Sequence, residues 1–301
     1  MPTLTRPEGT KPEDLNLSRR GLAGAVFGGY AVYAFSAEAA PIRTSDAGLI
    51  TETVQLPAQD RPIPAYLARP DAPGRFPVVM LISEVFGVHE YIRDVCRRLA
   101  RLGYVAIAPD FFARHGDPSV TSDFNKIRAI VGAASDAQIM GDVDAALRFA
   151  RSQPYADRRK IAVTGFCWGG AVVWDAVARF KDIKAGVAWY GRLSPPSPGD
   201  FLGEPDREWP LQIAPDLKAP VLGLYAGKDQ GITQESVEQM RMALVQYRKR
   251  GSEIVVYPNA QHGFHADYRS SYDKASAEDG WGRMIGHFQR YGVGPRPFVV
   301  N

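Results

Sequence analysis

From residue 76 onward, short and nearly continuous apolar runs alternate with longer stretches in which apolar residues recur every three or four positions. The runs at 77–82, 104–108, 160–164, 184–189, 220–225 and 253–257 read as strands covered by helices on both faces. Strand and helix in strict alternation predict a largely parallel sheet. Ahead of them, residues 49–56 and 63–69 are bounded by prolines and read as an antiparallel hairpin.

The helical stretches carry their own punctuation. Ile92, Val95, Cys96 and Leu99 form one apolar face. Ser135 and Gln138 have the spacing of a capping box, ahead of a stripe of Ile139, Val143, Leu147 and Ala150. Thr233 is placed to cap a helix whose buried stripe is Val237, Met240, Leu244 and Tyr247, with Gly251 as its stop. A last helix presents Trp281, Met284, Ile285 and Phe288 at helical spacing, a pattern of core packing rather than of a cofactor site. Residues 194–215 are proline-rich without periodicity and read as a long loop over the sheet.

Composition adds bounds rather than direction. The chain has 301 residues, 45% hydrophobic and 23% charged, with a formal net charge of +3, which fits one large α/β domain over residues 40–301. The basic clusters Arg158-Arg159-Lys160 and Arg248-Lys249-Arg250 lack interleaved aromatics, so no nucleic-acid partner is expected. Two cysteines, Cys96 and Cys167, make no disulfide framework, and Cys96 sits where a small buried hydrophobe belongs.

The first 39 residues read as an address. Ser18-Arg19-Arg20-Gly21-Leu22 resembles a twin-arginine export motif, although Gly24 stands where Lys is usual. An apolar run to Ala37 follows, then Ala37-Glu38-Ala39 at signal-peptidase spacing. The run is too short and glycine-rich for a membrane span, so none is expected in the mature chain. Export to the periplasm is the expected location, with the cytoplasm as alternative. The first location puts a reactive thiol in an oxidising compartment.

The chemistry concentrates at Lys160-Ile-Ala-Val-Thr-Gly165-Phe-Cys167-Trp-Gly169-Gly170. A buried strand runs into Gly-x-Cys-x-Gly-Gly and then into an apolar helix expected to start near Ala171, the layout of a nucleophile elbow with Cys in place of Ser. Glycines flank the nucleophile because strand and helix cross too closely for a Cβ. The helix N-terminus favours a thiolate at Cys167 and leaves the Trp168 N–H facing an oxyanion.

In this arrangement acid and histidine follow the nucleophile in chain order. Asp229 closes the strand-turn Pro220–Asp229, and His262 follows the strand at 253–257. All three fall beyond carboxyl ends of parallel strands, where open sheets build their sites. His265 is a rival base or half of a metal pair, but no third ligand accompanies it, so no metal and no cofactor are expected. His89, His115 and His287 lack matching context.

On these residues the chain resembles the dienelactone hydrolase family. The likeness spans most of 49–291 and rests on Ser83-Glu84-Val85-Phe86-Gly87, Pro109-Asp110-Phe111-Phe112, Gly165-Phe-Cys167-Trp-Gly-Gly170, Gly227-Lys-Asp229 and His262-Gly-Phe264. It implies an α/β-hydrolase fold and a cofactor-free esterase that opens lactones or enol esters with water. It also implies that Glu84 approaches the nucleophile and regulates its ionisation, and that Val85 supplies a second oxyanion N–H. The family's arginines grip a substrate carboxylate, one of them soon after the histidine. His262-Gly-Phe-His265-Ala266-Asp267 has none. Arg192, beside Tyr190 at another strand end, stands as the replacement cation, and both are candidate substrate-binding residues. Two other functions fit the same pattern: a non-catalytic ligand-binding protein of this fold, and a thiol-dependent acyl transferase.

Overall fold

The computed structural model describes residues 41–196 and 207–299. The twin-arginine segment and its cleavage site lie outside the described residues, as does the 197–206 part of the proline-rich loop.

Eight strands form one sheet in the order β1-β2-β4-β3-β5-β6-β7-β8. They are β1 (Leu49–Pro57), β2 (Pro62–Pro70), β3 (Phe76–Ile82), β4 (Val105–Pro109), β5 (Ala156–Phe166), β6 (Ile183–Trp189), β7 (Val221–Ala226) and β8 (Glu253–Tyr257). The β1–β2 hairpin and the β2–β4 pair are antiparallel, and every other neighbour is parallel. This is the α/β-hydrolase fold. The strands read from sequence are all present. β5 starts earlier than its apolar run because Asp157–Lys160 continue the strand outward into solvent, past an irregularity in its pairing with β3.

The helices are α1 (Glu90–Arg101), α2 (Phe124–Gly132), α3 (Asp136–Ser152), α4 (Trp168–Arg179), α5 (Gln234–Gln246) and α6 (Lys274–Arg290). Sequence periodicity misses α2, whose inward face is only Ile127 and Val131, although Asp123 caps it cleanly. Three details differ from expectation. The Ser135 hydroxyl accepts from Gln138 N, but the Gln138 amide turns away to Phe111 O and His115, so the capping box is half made. Tyr247 is exposed rather than buried, and α5 ends at Gln246, well before Gly251. The proline-rich stretch contains a helical turn at Pro210–Ile213.

Helix α4 fixes the site. It begins at Trp168, not near Ala171, and is buried from Trp168 to Ala178 against β5 and β6. A helix buried this completely, with Asp175 its one charged buried residue and paired to Arg179, is a core helix. Its first turn crosses β3 and β5 at backbone contact: a Cβ on Gly169 would lie 2.5 Å from the carbonyl oxygens of Ile82 and Ser83. A Cβ on Gly165 would lie 2.5 Å from Gly169 O. Because these obstacles are backbone, a methyl group there forces strand and helix apart. Gly169→Ala is expected to cost about 3 kcal/mol, read as a lowered urea midpoint. An unchanged midpoint would show that the crossing is not tight.

Candidate active site

Cys167 links β5 to α4 with φ 57° and ψ −118°, a left-handed backbone that costs a non-glycine residue on the order of 1–3 kcal/mol. Surrounding bonds hold it there. Its N–H donates to Trp189 O at 3.0 Å, while its carbonyl accepts from Gly170 N and Ala171 N. As the first residue of α4, Trp168 has an N–H outside the helix's own bonding ladder. Phe111 and Phe112, from the motif after β4, pack on the Trp168 ring with centroids 5.9 and 4.9 Å away. The Arg207 guanidinium lies 5.6 Å from the same ring. Val85 is buried in the turn after β3, which closes with Gly87 N donating to Glu84 O.

The structure brings Cys167, His262 and Asp229 together at the carboxyl edge of the sheet. His262 Nδ1 lies 2.7 Å from Asp229 Oδ2. The other Asp229 oxygen accepts from Gly231 N at 2.9 Å and Ile232 N at 3.1 Å, so the carboxylate cannot rotate without losing two bonds. Burial alone would push the His262 ionisation down. The charge of Asp229, and next that of Cys167, overcome it and raise the imidazole to about 10. His262 therefore carries its proton at neutral pH.

Glu84 is fully buried and takes three partners. Arg269 Nη2 stands 2.9 Å from Oε1, Tyr268 donates to Oε2 at 2.7 Å, and His89 Nε2 lies 3.4 Å from Oε2. Burial pushes the carboxyl up, but these partners, led by Arg269, hold it down at about 2. Arg269 and Tyr190 both feel the charge of Glu84.

Tyr190, just past β6, is fully buried with φ 37°. Its ring meets those of His262 and Phe264 edge-on, with centroids 5.2 and 5.1 Å away. Arg192 is buried two residues further on. His265, the rival base, faces elsewhere. Burial lowers it to about 3, and its Nδ1 lies 2.6 Å from the Tyr91 hydroxyl, with the ring stacked on Phe166 and Trp281. It is a packing residue that backs the strand end carrying Cys167.

Sequence reading missed Arg269, Tyr268 and His89. It stopped at Asp267, two residues short of the arginine. The signal was the Tyr268-Arg269 pair in a stretch with no helical or strand period. The expectation that no arginine follows the histidine is corrected by the fold. Successive turns at 263–273 bring Arg269 back, while Asp267 pairs with Arg98 and Arg98 Nε with Asp94 at 2.6 Å on α1.

A model of the dienelactone hydrolase family matches residues 63–292. The chain belongs to that family. It is 48% identical over 255 residues to a Methylorubrum extorquens protein provisionally named carboxymethylenebutenolidase, covering 84% of this chain and 85% of that one. An Escherichia coli (strain K12) protein with the same provisional name is 46% identical over 254 residues, 83% of this chain and 91% of the other. The crystal structure of a Klebsiella pneumoniae protein provisionally named dienelactone hydrolase superposes with a TM-score of 0.75 at 44% identity, covering 81% of this chain and 99% of that one. With this membership the chain is a hydrolase of the ester- and lactone-cleaving kind.

The raised imidazole has a pH signature. Its folded value exceeds the ordinary 6.5, so its stabilising contribution is complete below about 6.5 and is lost as pH rises through about 10. NMR titration of the His262 ring is expected to show no proton loss before pH 8.5. In Asp229→Asn the midpoint should fall by more than one unit. A wild-type midpoint near 6.5 would mean that the buried ion pairing is absent.

Proposed function

We propose that this enzyme cleaves activated esters and lactones of the dienelactone or enol-ester type through Cys167, His262 and Asp229, with a thioester intermediate. The observation that carries the reading is the convergence of three residues from three strand ends. A protonated His262, anchored by Asp229, stands against a sulfur held in a left-handed elbow.

The Cys167 sulfur attacks the carbonyl carbon, and a carbon–sulfur bond forms as the carbonyl oxygen gains charge. The N–H groups of Trp168 and Val85 receive that charge, each worth about 3 kcal/mol if comparable to known oxyanion donors. The carbon–oxygen bond then breaks, and the His262 proton passes to the departing oxygen. The neutral imidazole next removes a proton from water, which attacks the thioester. Sulfur leaves, and the carboxylic acid is released. Sulfur is itself a good leaving group, so only substrates whose oxygen departs easily go forward. Enol and aryl esters and strained lactones meet that condition, and amides do not.

The relatives' provisional names favour a carboxylate-bearing lactone. Arg269 supplies the cation that such a substrate needs and that Arg192 was expected to replace. Glu84, held by Arg269, Tyr268 and His89, is the anion that balances it in the free enzyme.

With p-nitrophenyl acetate, Cys167→Ala and His262→Ala are each expected to lower kcat by at least a thousandfold. Asp229→Asn should lower it by a smaller factor. Acid quenching during turnover should trap an acyl mass on the peptide containing Cys167. Full turnover in Cys167→Ala would refute the proposal.

A further inference from the structure

Tyr190 carries a hydroxyl with no evident use in the fold. The side chain is fully buried, and among the described residues its oxygen has no hydrogen-bond partner. Buried polar groups are nearly always paired, so an orphan of this kind calls for an explanation. The backbone is held where a side chain rarely goes, at φ 37°, with Tyr190 N donating to Leu224 O at 2.8 Å. Strain and an unsatisfied donor at one residue mark a position kept for something other than stability.

Its surroundings say what that is. The ring stands edge-on to His262 and Phe264, and tilted by 37° to Phe166, the residue before Cys167, at 6.1 Å. Besides burial, the charges of Glu84 and Arg269 act on the hydroxyl. Tyr190 also follows Trp189, whose carbonyl takes the Cys167 N–H, so the orphan donor belongs to a residue set beside both the elbow and the His262 ring. It is not the base, which His262 provides, nor an oxyanion donor of the elbow, which the backbone provides.

We infer that the Tyr190 hydroxyl is a substrate-recognising donor that hydrogen-bonds a second oxygen of the bound ester or lactone, one other than the oxygen of the carbonyl under attack. The substrate class is therefore narrowed to acyl or lactone groups that carry a further carbonyl or carboxylate oxygen near the scissile bond. This deepens the hydrolytic reading above and rests on it for the identity of the reacting carbonyl. The phenol acts as a donor alone. Burial and the nearby Glu84 charge push its ionisation well above the ordinary tyrosine value, so it keeps its proton and enters no transfer step. A site built around such a donor discriminates against an isostere that lacks the acceptor, because the donor is then left unpaired again.

Two p-nitrophenyl esters of matched shape test this, the levulinate (4-oxopentanoate) and the 4-methylpentanoate, which differ by a ketone oxygen in place of a methyl group. Tyr190→Phe is expected to lower kcat/KM for the levulinate about tenfold, while the 4-methylpentanoate changes less than threefold. The pH profile should keep its shape. Since the hydroxyl satisfies nothing in the free protein, the melting temperature should stay level or rise. Equal losses on both esters, a shifted pH limb, or a fall of several degrees in melting temperature would each overturn the assignment, the last by revealing a structural bond. Calorimetric titration of Cys167→Ala with methyl levulinate reads the same contact without turnover. Adding Tyr190→Phe should weaken binding about tenfold, and equal affinities would overturn the inference. Turnover that survives Cys167→Ala sinks the thioester mechanism instead, and leaves this titration to decide Tyr190.

Discussion

The site depends on one close approach, the crossing of α4 over β3 and β5 at backbone contact. Gly165 and Gly169 permit it, and the cost is carried at Cys167, whose left-handed backbone is fixed by bonds to Trp189 O and from Gly170 N and Ala171 N. The crossing does two things at once. It sets Cys167 at the turn between β5 and α4, and it leaves the first N–H of the helix, that of Trp168, outside the helix's own bonds. A looser contact would move both together, since they belong to adjacent residues. A helix buried along its whole length is well suited to hold this strain, because relaxing it would shift the core as well as the turn.

Around that fixed point the charges come in compensated pairs. Asp229 sets His262 from one side with all its acceptor capacity directed, and Glu84 meets Arg269 on the other. Buried ions are costly unless paired and hydrogen-bonded, and here each carboxylate has at least three partners. The two pairs cancel while His262 keeps its proton. In the hydrolytic mechanism proposed above, negative charge arising on sulfur or on a substrate oxygen would be met by cations already in place.

Much of this was legible in the sequence, for identifiable reasons. Strands buried on both faces give unbroken apolar runs, and all eight strands could be read. The elbow could be read because its glycines answer a local steric need. Asp229 and His262 could be read because chain order and strand ends constrain them. Other features left no local trace. Helix α2 buries two side chains, too few for a period. The first turn of α4, Trp168-Gly169-Gly170, has poor helix formers imposed by the crossing, so its start was placed three residues late. Arg269 reaches the site through a chain of turns whose direction depends on Asp267 and Arg98 meeting across the fold. Spacing from His262 does not encode that reach.

The histidine pair shows why residue type and position are not enough. His262 and His265 stand three residues apart on one loop, and either could serve as a base by composition. Their environments separate them. His262 lies against the Asp229 carboxylate and is raised to about 10, while His265 lies among aromatic rings with Arg98 nearby and is lowered to about 3. The same burial acts on both, and it lowers both. The sign of the net shift is set by the neighbours that the β7 and β8 turns deliver to one ring and withhold from the other. In this loop the separation of a carboxylate-paired histidine from one packed among aromatic rings is therefore a tertiary property. It rests on the Asp229 carboxylate, whose Oδ1 is held by Gly231 N and Ile232 N while Oδ2 meets the imidazole.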